Sequence, residues 1–134
     1  ESPAAMRRAA KRGDGWYPST GNAHFPLDTP ERLRAARTAL RKLVEAEGRD
    51  PTSINLALVH FAPVDWTVRD AGGSRQPFTG SPADIAEDVA AFFRAGANHL
   101  ALSFQTATLS ETLERMQFFA EAVMPLVGGS GEPE

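Results

Sequence analysis

The sequence has 134 residues, enough for one domain with a hydrophobic core and too few for two full domains. Hydrophobic residues make up 42% and charged residues 23%, and the net charge of −3 argues against a nucleic-acid-binding protein with a basic surface. The absence of cysteine excludes disulfides and thiolate metal sites and fits the cytosol, and no apolar run approaches the roughly 20 residues of a membrane span.

The predicted elements alternate between helices and strands. In chain order they are a helix after Ser2-Pro3, a strand over 14–18, a helix after Thr29-Pro30, a strand over 54–61, a helix after Ser81-Pro82, a strand over 99–104 and a helix after Ser110. In each Ser/Thr-Pro pair the hydroxyl can cap the helix, and the proline has no N–H to leave unbonded. The first three helices each run to a glycine that can end them in a left-handed conformation: Gly13, Gly48 and Gly96.

The strand sequences indicate a parallel sheet. "INLALVHF" (54–61) and "HLALSF" (99–104) are apolar almost throughout, which is typical of strands covered on both faces. Alternating strands and helices with right-handed crossovers predict an α/β fold with three parallel strands and four helices. The outer strands of such a sheet would have unpaired edges, a known hazard, so we expect a further element before Glu1.

Three runs give the sequence a family resemblance: "AAMRRAAKRGDGWYP", "GSPADIAEDVAAFFRAGANHLALSF" and "ETLERMQFFAEAVMPLV". They resemble the C-terminal part of luciferase-like flavin- or F420-dependent oxidoreductases, which are TIM barrels that include monooxygenases. The resemblance covers roughly residues 1–18 and 79–127. It implies that residues 1–127 form the C-terminal half of a TIM (β/α)8 barrel, since a full barrel needs about 250 residues. Residues 128–134 are expected to form a disordered tail.

The start of the first helix is the candidate cofactor site. A helix N-terminus offers free N–H groups and a partial positive charge, which favour a phosphate. In the family the loop entering this helix binds the phosphate of FMN or F420, and the resemblance assigns that position to Glu1 and Ser2. The alternative is that Ser2 only caps the helix. "GDGWYPS" has a structural interpretation too, in which Trp16 and Tyr17 lie on opposite faces of a strand.

No catalytic residue is assigned. His60 lies near the carboxyl end of its strand, where barrel active sites are built, but it shares a face with apolar residues and is interpreted as a core histidine. His99 begins a strand and His24 lies in a loop without a visible partner. No His/Glu spacing predicts a metal site, and the Gly-x-Gly-x-x-Gly fingerprint of dinucleotide binding is absent.

The segment 62–80 is longer than an ordinary strand-to-helix connection, which has about 2–6 residues. It contains the aromatic and cationic side chains Trp66, Arg69, Arg75 and Phe78, with Gly72-Gly73 as a source of mobility. By position it resembles the mobile lid of luciferase. The alternative is a disordered insertion without function.

Two kinds of function remain open. The resemblance implies a cytoplasmic oxidoreductase or monooxygenase that binds FMN or F420 and a small organic substrate, with this chain contributing the cofactor-phosphate site and the lid. The alternative is a non-catalytic half-barrel that assembles with itself or with another chain. In either case we expect a homo-oligomer, because unpaired outer strands need a partner, and we expect neither nucleic acid nor membrane as a partner.

Overall fold

The computed structural model describes residues 1–68 and 70–128. Its helices are α1 (Pro3–Arg12), α2 (Pro30–Ala46), α3 (Pro82–Arg94), α4 (Leu109–Phe118) and α5 (Met124–Val127), and a π-helical segment, Phe119–Val123, joins α4 to α5. Its strands are β1 (Gly15–Trp16), β2 (Asn55–Pro63), β3 (Asp70–Ala71), β4 (Ser74–Arg75) and β5 (His99–Ser103). Part of the predicted tail, 129–134, lies outside the described residues.

The main sheet has three parallel strands in the order β1-β2-β5. Gly15 pairs with Asn55 and Trp16 with Leu56. These three strands are neighbours in the order in which the chain forms them, as expected when each crossover packs a helix onto the sheet. The predicted parallel α/β fold, with four main helices, is confirmed.

The chain divides into two compact units, of which the first comprises residues 1–61 and 92–101. Its buried side chains come from one face of α2 and one face of β2, and they include Leu33, Leu40, Val44, Leu56 and Leu58. The Arg49 guanidinium donates to the carbonyl oxygens of Ala10 and Gly13, at 2.7 and 2.8 Å. These bonds satisfy carbonyls at the end of α1 and fix them beside the segment that follows α2.

The second unit comprises residues 62–91 and 102–134. Strands β3 and β4 form an antiparallel hairpin around Gly72-Gly73, whose φ angles of 62° and 85° suit a tight two-residue turn. Arg115 donates to the carbonyl of Val64 at 2.8 Å, and Trp66 packs edge-on against Phe118 with ring centroids 4.4 Å apart.

Several local predictions need correction. Gly13 is not left-handed: its φ is −94°, and a Cβ there would lie 3.0 Å from the carbonyl oxygen of Ala9, so lack of space explains the glycine. Helix α4 begins at Leu109 rather than after Ser110, because Thr108 accepts the Glu111 N–H and caps it. Apolar side chains recur at helical spacing in this last helical region, and of these Leu113 and Met116 are exposed whereas Val123 is buried.

The two faces of β2 also differ from the prediction that both are covered. Ile54, Leu56, Leu58 and His60 are buried, whereas Phe61 on the opposite face is 71% exposed. On that opposite face Ala57 and Val59 are half-buried. The described chain therefore covers one face of β2 fully and the other face in part.

Candidate functional site

The first turn of α1 has the geometry of a capped helix start. Ser2 has an extended backbone, with φ −60° and ψ 155°, and its Oγ accepts the Ala5 N–H at 3.2 Å. Pro3 has no N–H, and the Ala4 N–H has no acceptor within the helix. A serine hydroxyl that accepts one hydrogen bond can still donate its own proton to another oxygen. Capping and anion binding by Ser2 are therefore compatible.

Glu1 positions this helix start within the first unit. Its Oε1 accepts the backbone N–H of Ser19, and its Oε2 accepts the Asn22 amide at 2.7 Å. Ser19 follows β1 and forms a parallel bridge with Val59 of β2. The N-terminus of α1 consequently lies at the carboxyl end of β1, the edge at which parallel α/β proteins build their ligand sites.

The ionisation of Glu1 follows from the same contacts. Partial burial opposes the charged form, but hydrogen bonds from Ser19 and Asn22 outweigh burial and lower the pKa of Glu1 below its ordinary value. An ionised carboxylate repels a phosphate. The structure thus gives the two predicted site residues different surroundings: Ser2 presents a hydroxyl at the helix start, and the Glu1 carboxylate holds the loop after β1.

His60 is buried, and its Nδ1 lies 2.8 Å from Oγ1 of Thr20 in a hydrogen bond. This supports its interpretation as a core histidine. His24 follows a turn in which Asn22 Oδ1 accepts the N–H groups of His24 and Phe25. His99 is exposed at the start of β5.

Two exposed aromatic side chains, Tyr17 just after β1 and Phe61 on β2, lie on the less covered face of the sheet in the first unit. Because Trp16 pairs with Leu56 and both are buried, the alternating residues Tyr17 and Phe61 point to the other face. Tyr17 is 60% exposed and Trp16 only 5%, which confirms the prediction that they lie on opposite faces. Sequence reasoning missed Phe61, although its place in the alternating pattern of β2 was visible.

The predicted lid is tied down in the second unit. Asp88 on α3 accepts two parallel hydrogen bonds from the Arg75 guanidinium, both at 2.7 Å, and the backbone N–H of Phe78 at 2.7 Å. Phe78 is fully buried and has a φ of 61°, a conformation that non-glycine residues seldom adopt. Gly72-Gly73 form the turn of the hairpin between β3 and β4. Arg69, also predicted for the lid, lies outside the described residues.

An apolar groove of about 540 Å³ lies between α1 and α2 in the first unit. It is lined mainly by apolar side chains such as Pro3, Met6, Trp16, Phe25 and Leu43, together with Arg7 and Lys42. Sequence reasoning missed this groove, because its residues lie on two helices and a loop that are distant along the chain.

Within the described residues, no group of three or more His, Asp and Glu side chains could hold a metal ion. No described helix combines the length and the apolar character needed to cross a membrane. No protein-family model matches this chain, and no curated protein matches it either.

Proposed function

We propose that the chain is part of a flavin- or F420-dependent oxidoreductase of the luciferase-like type, in which residues 1–127 form the C-terminal half of a TIM barrel. The observation that carries this proposal is the contact between Glu1 and Ser19, which places the N-terminus of α1 at the carboxyl end of β1. Ligands of parallel α/β proteins bind at this edge, and phosphates favour helix N-termini. The sequence resemblance adds the cofactor class.

The residues at the helix start fit a phosphate. The Ala4 N–H points out of the first turn without an intrahelical acceptor, and the Ser2 hydroxyl can donate to an anion while it caps Ala5. The carboxylate of Glu1 stays engaged with Ser19 and Asn22, so its repulsion of a phosphate is partly compensated. The bound ring would supply the hydride or oxygen chemistry, while the protein binds, orients and excludes water.

Segment 62–80 follows the carboxyl end of β2, and we propose that it covers the substrate. The Arg75–Asp88 pair and the buried Phe78 hold the segment in one conformation. A fixed cover would exclude water from a small organic substrate and from the reactive ring.

The second candidate is a non-catalytic half-barrel that assembles with another copy or another chain. The exposed apolar side chains of the last helical region favour an assembly, and they include Leu109, Leu113, Met116, Met124 and Leu126. Strands β1 and β5 are the outer strands of the main sheet, which also favours pairing with further chain. Failure to bind FMN or F420 would favour this candidate, whereas a homo-oligomer is expected for both.

Replacing Ser2 with alanine tests the phosphate site. The variant removes one donor to a charged group, a bond worth about 1.5–3 kcal/mol, so we expect the affinity for FMN or F420 to fall roughly ten- to a hundredfold. Loss of the cap should also lower the free energy of unfolding by about 1 kcal/mol. Calorimetric titration of the intact protein and a melting curve without cofactor measure the two effects separately.

The matched control is Thr29→Ala. Thr29 caps α2 in the same way, since its Oγ1 accepts the Arg32 N–H at 3.2 Å ahead of Pro30. This variant should lose about as much stability as Ser2→Ala and keep the affinity of the wild type. If both variants bind the cofactor as the wild type does, Ser2 is a cap and the proposed phosphate site is wrong.

A further inference from the structure

The groove between α1 and α2 has the size of a small-molecule site. Its volume of about 540 Å³ lies within the range of about 300–1,000 Å³ that is typical of small-molecule sites. The space arises because α2 presents only the methyl groups of Ala36 and Ala39 where larger side chains would fill it. Trp16 and Leu27 form a buried base beneath it.

The two ends of the groove differ in charge. The end of α1 and the segment after α2 are tied together by Arg49, so the two helices run in the same direction. Arg7 lies four residues after Pro3, about 6 Å along the axis of α1, and Lys42 lies six residues after Ala36 on α2. Both cations therefore line the later end of the groove.

The opposite end is apolar apart from Glu1. Phe25 lies there, because Asn22 binds both the Glu1 carboxylate and the Phe25 N–H. The Glu1 carboxylate accepts hydrogen bonds from Ser19 and Asn22, and these bonds lower its pKa and keep the group ionised. An anion is consequently repelled from this end, whereas an apolar chain can pack against Phe25.

The cations at the later end are available to a ligand. Arg7 and Lys42 are both exposed, and neither forms an ion pair with another residue in the described part of the chain. One comes from each helix and both line the groove, so an anionic group at this end is attracted by two positive charges.

We propose that the groove binds an amphiphilic monoanion, with an unbranched apolar chain against Phe25, Trp16 and the α2 alanines and a carboxylate between Arg7 and Lys42. The ligand class follows from an apolar lining that ends in two cations. The groove is separate from the proposed phosphate site, because its anion lies beyond the first turn of α1. The two proposals can therefore fail independently.

Decanoate is a suitable probe, and methionine methyl NMR of the chain is a suitable readout. The sequence has three methionines, of which Met6 lines the groove while Met116 and Met124 lie exposed on the last helical region. Decanoate should shift the Met6 resonance saturably and leave the other two in place. Decanol should bind about tenfold more weakly, because it lacks the charge-assisted interaction, and decylamine should not bind.

Variants separate this site from general apolar adsorption. Arg7→Glu and Lys42→Glu should each weaken decanoate binding about tenfold or more, while Arg8→Glu, on the same helix but outside the groove, should not. Ala39→Phe should fill the groove and abolish binding, with Ala35→Phe as the control on an exposed position of the same helix. A cooperative melting curve with a midpoint close to that of the wild type shows for each variant that the fold is retained.

Three results would overturn the proposal. Equal affinities for decanoate and decylamine would show that the cations do not contribute to binding. Parallel shifts of all three methionine resonances would indicate adsorption to any apolar surface. A Met6 resonance that moves with protein concentration, in the absence of decanoate, would make the groove a contact between copies of the chain.

Discussion

FMN is expected to bind the intact protein at least about a hundredfold more tightly than riboflavin, which has the same ring and ribityl chain but no phosphate. The N-terminus of α1 can offer a phosphate the Ala4 N–H and the Ser2 hydroxyl, as well as the positive end of the helix dipole. Two hydrogen bonds to a charged group, each worth about 1.5–3 kcal/mol, account for this ratio. If the cofactor is F420, the deazaflavin ring without its phosphate should likewise bind more weakly than the whole cofactor.

Calorimetric titration with each ligand measures this ratio. Excess inorganic phosphate serves as the control, because it should compete with FMN and leave the weak binding of riboflavin unchanged. Equal affinities for FMN and riboflavin would mean that the ring alone is recognised and that the start of α1 binds no phosphate.

The second large effect is expected on stability, from Asp88→Ala in the second unit. Asp88 accepts both guanidinium bonds of Arg75 and the backbone N–H of Phe78, so its removal takes three acceptor contacts from partly buried donors. Phe78 also needs support because its φ of 61° is unfavourable for a bulky residue. Since Arg75 keeps some access to water, we expect a loss of about 2–3 kcal/mol in the free energy of unfolding.

Urea denaturation of wild type and variant measures the loss. Asp84→Ala is the matched control, because Asp84 lies on the same helix and accepts hydrogen bonds from the exposed Ser81 at the start of that helix, so its removal should cost less. Limited proteolysis should cut the Asp88→Ala variant faster within 62–80. Equal stability of the two variants would show that Asp88 does not hold this segment.

Local signals in the sequence were sufficient to predict where α1, α2 and α3 begin. Ser2, Thr29 and Ser81 each accept an N–H from the first turn that follows, because capping depends on neighbours three residues away. The start of α4 was also readable: Thr108 and Glu111 have the spacing of a capping box, a signal that the prediction from Ser110 overlooked.

Other features could not be predicted because they depend on register between distant segments. Glu1 meets Ser19 and Asn22 only because α1 packs beside the end of β1, and no spacing rule connects these residues. The contact between Asp88 and Arg75 joins residues 13 positions apart, with a loop and the first turns of α3 between them. The helical spacing of apolar residues on α4 indicates an apolar face, but it does not show whether another part of the chain buries Leu113 and Met116, which are exposed.

The central claim, a phosphate held at the start of α1, is tested most directly by the ³¹P resonance of the bound cofactor, FMN or F420. In the wild type the resonance should move away from its free position as the ring fluorescence changes. In Ser2→Ala the resonance should lie part of the way back to its free position. In Thr29→Ala it should keep the bound position of the wild type, since only Ser2 would contact the phosphate. A phosphorus resonance at its free position while the ring is bound would contradict the claim.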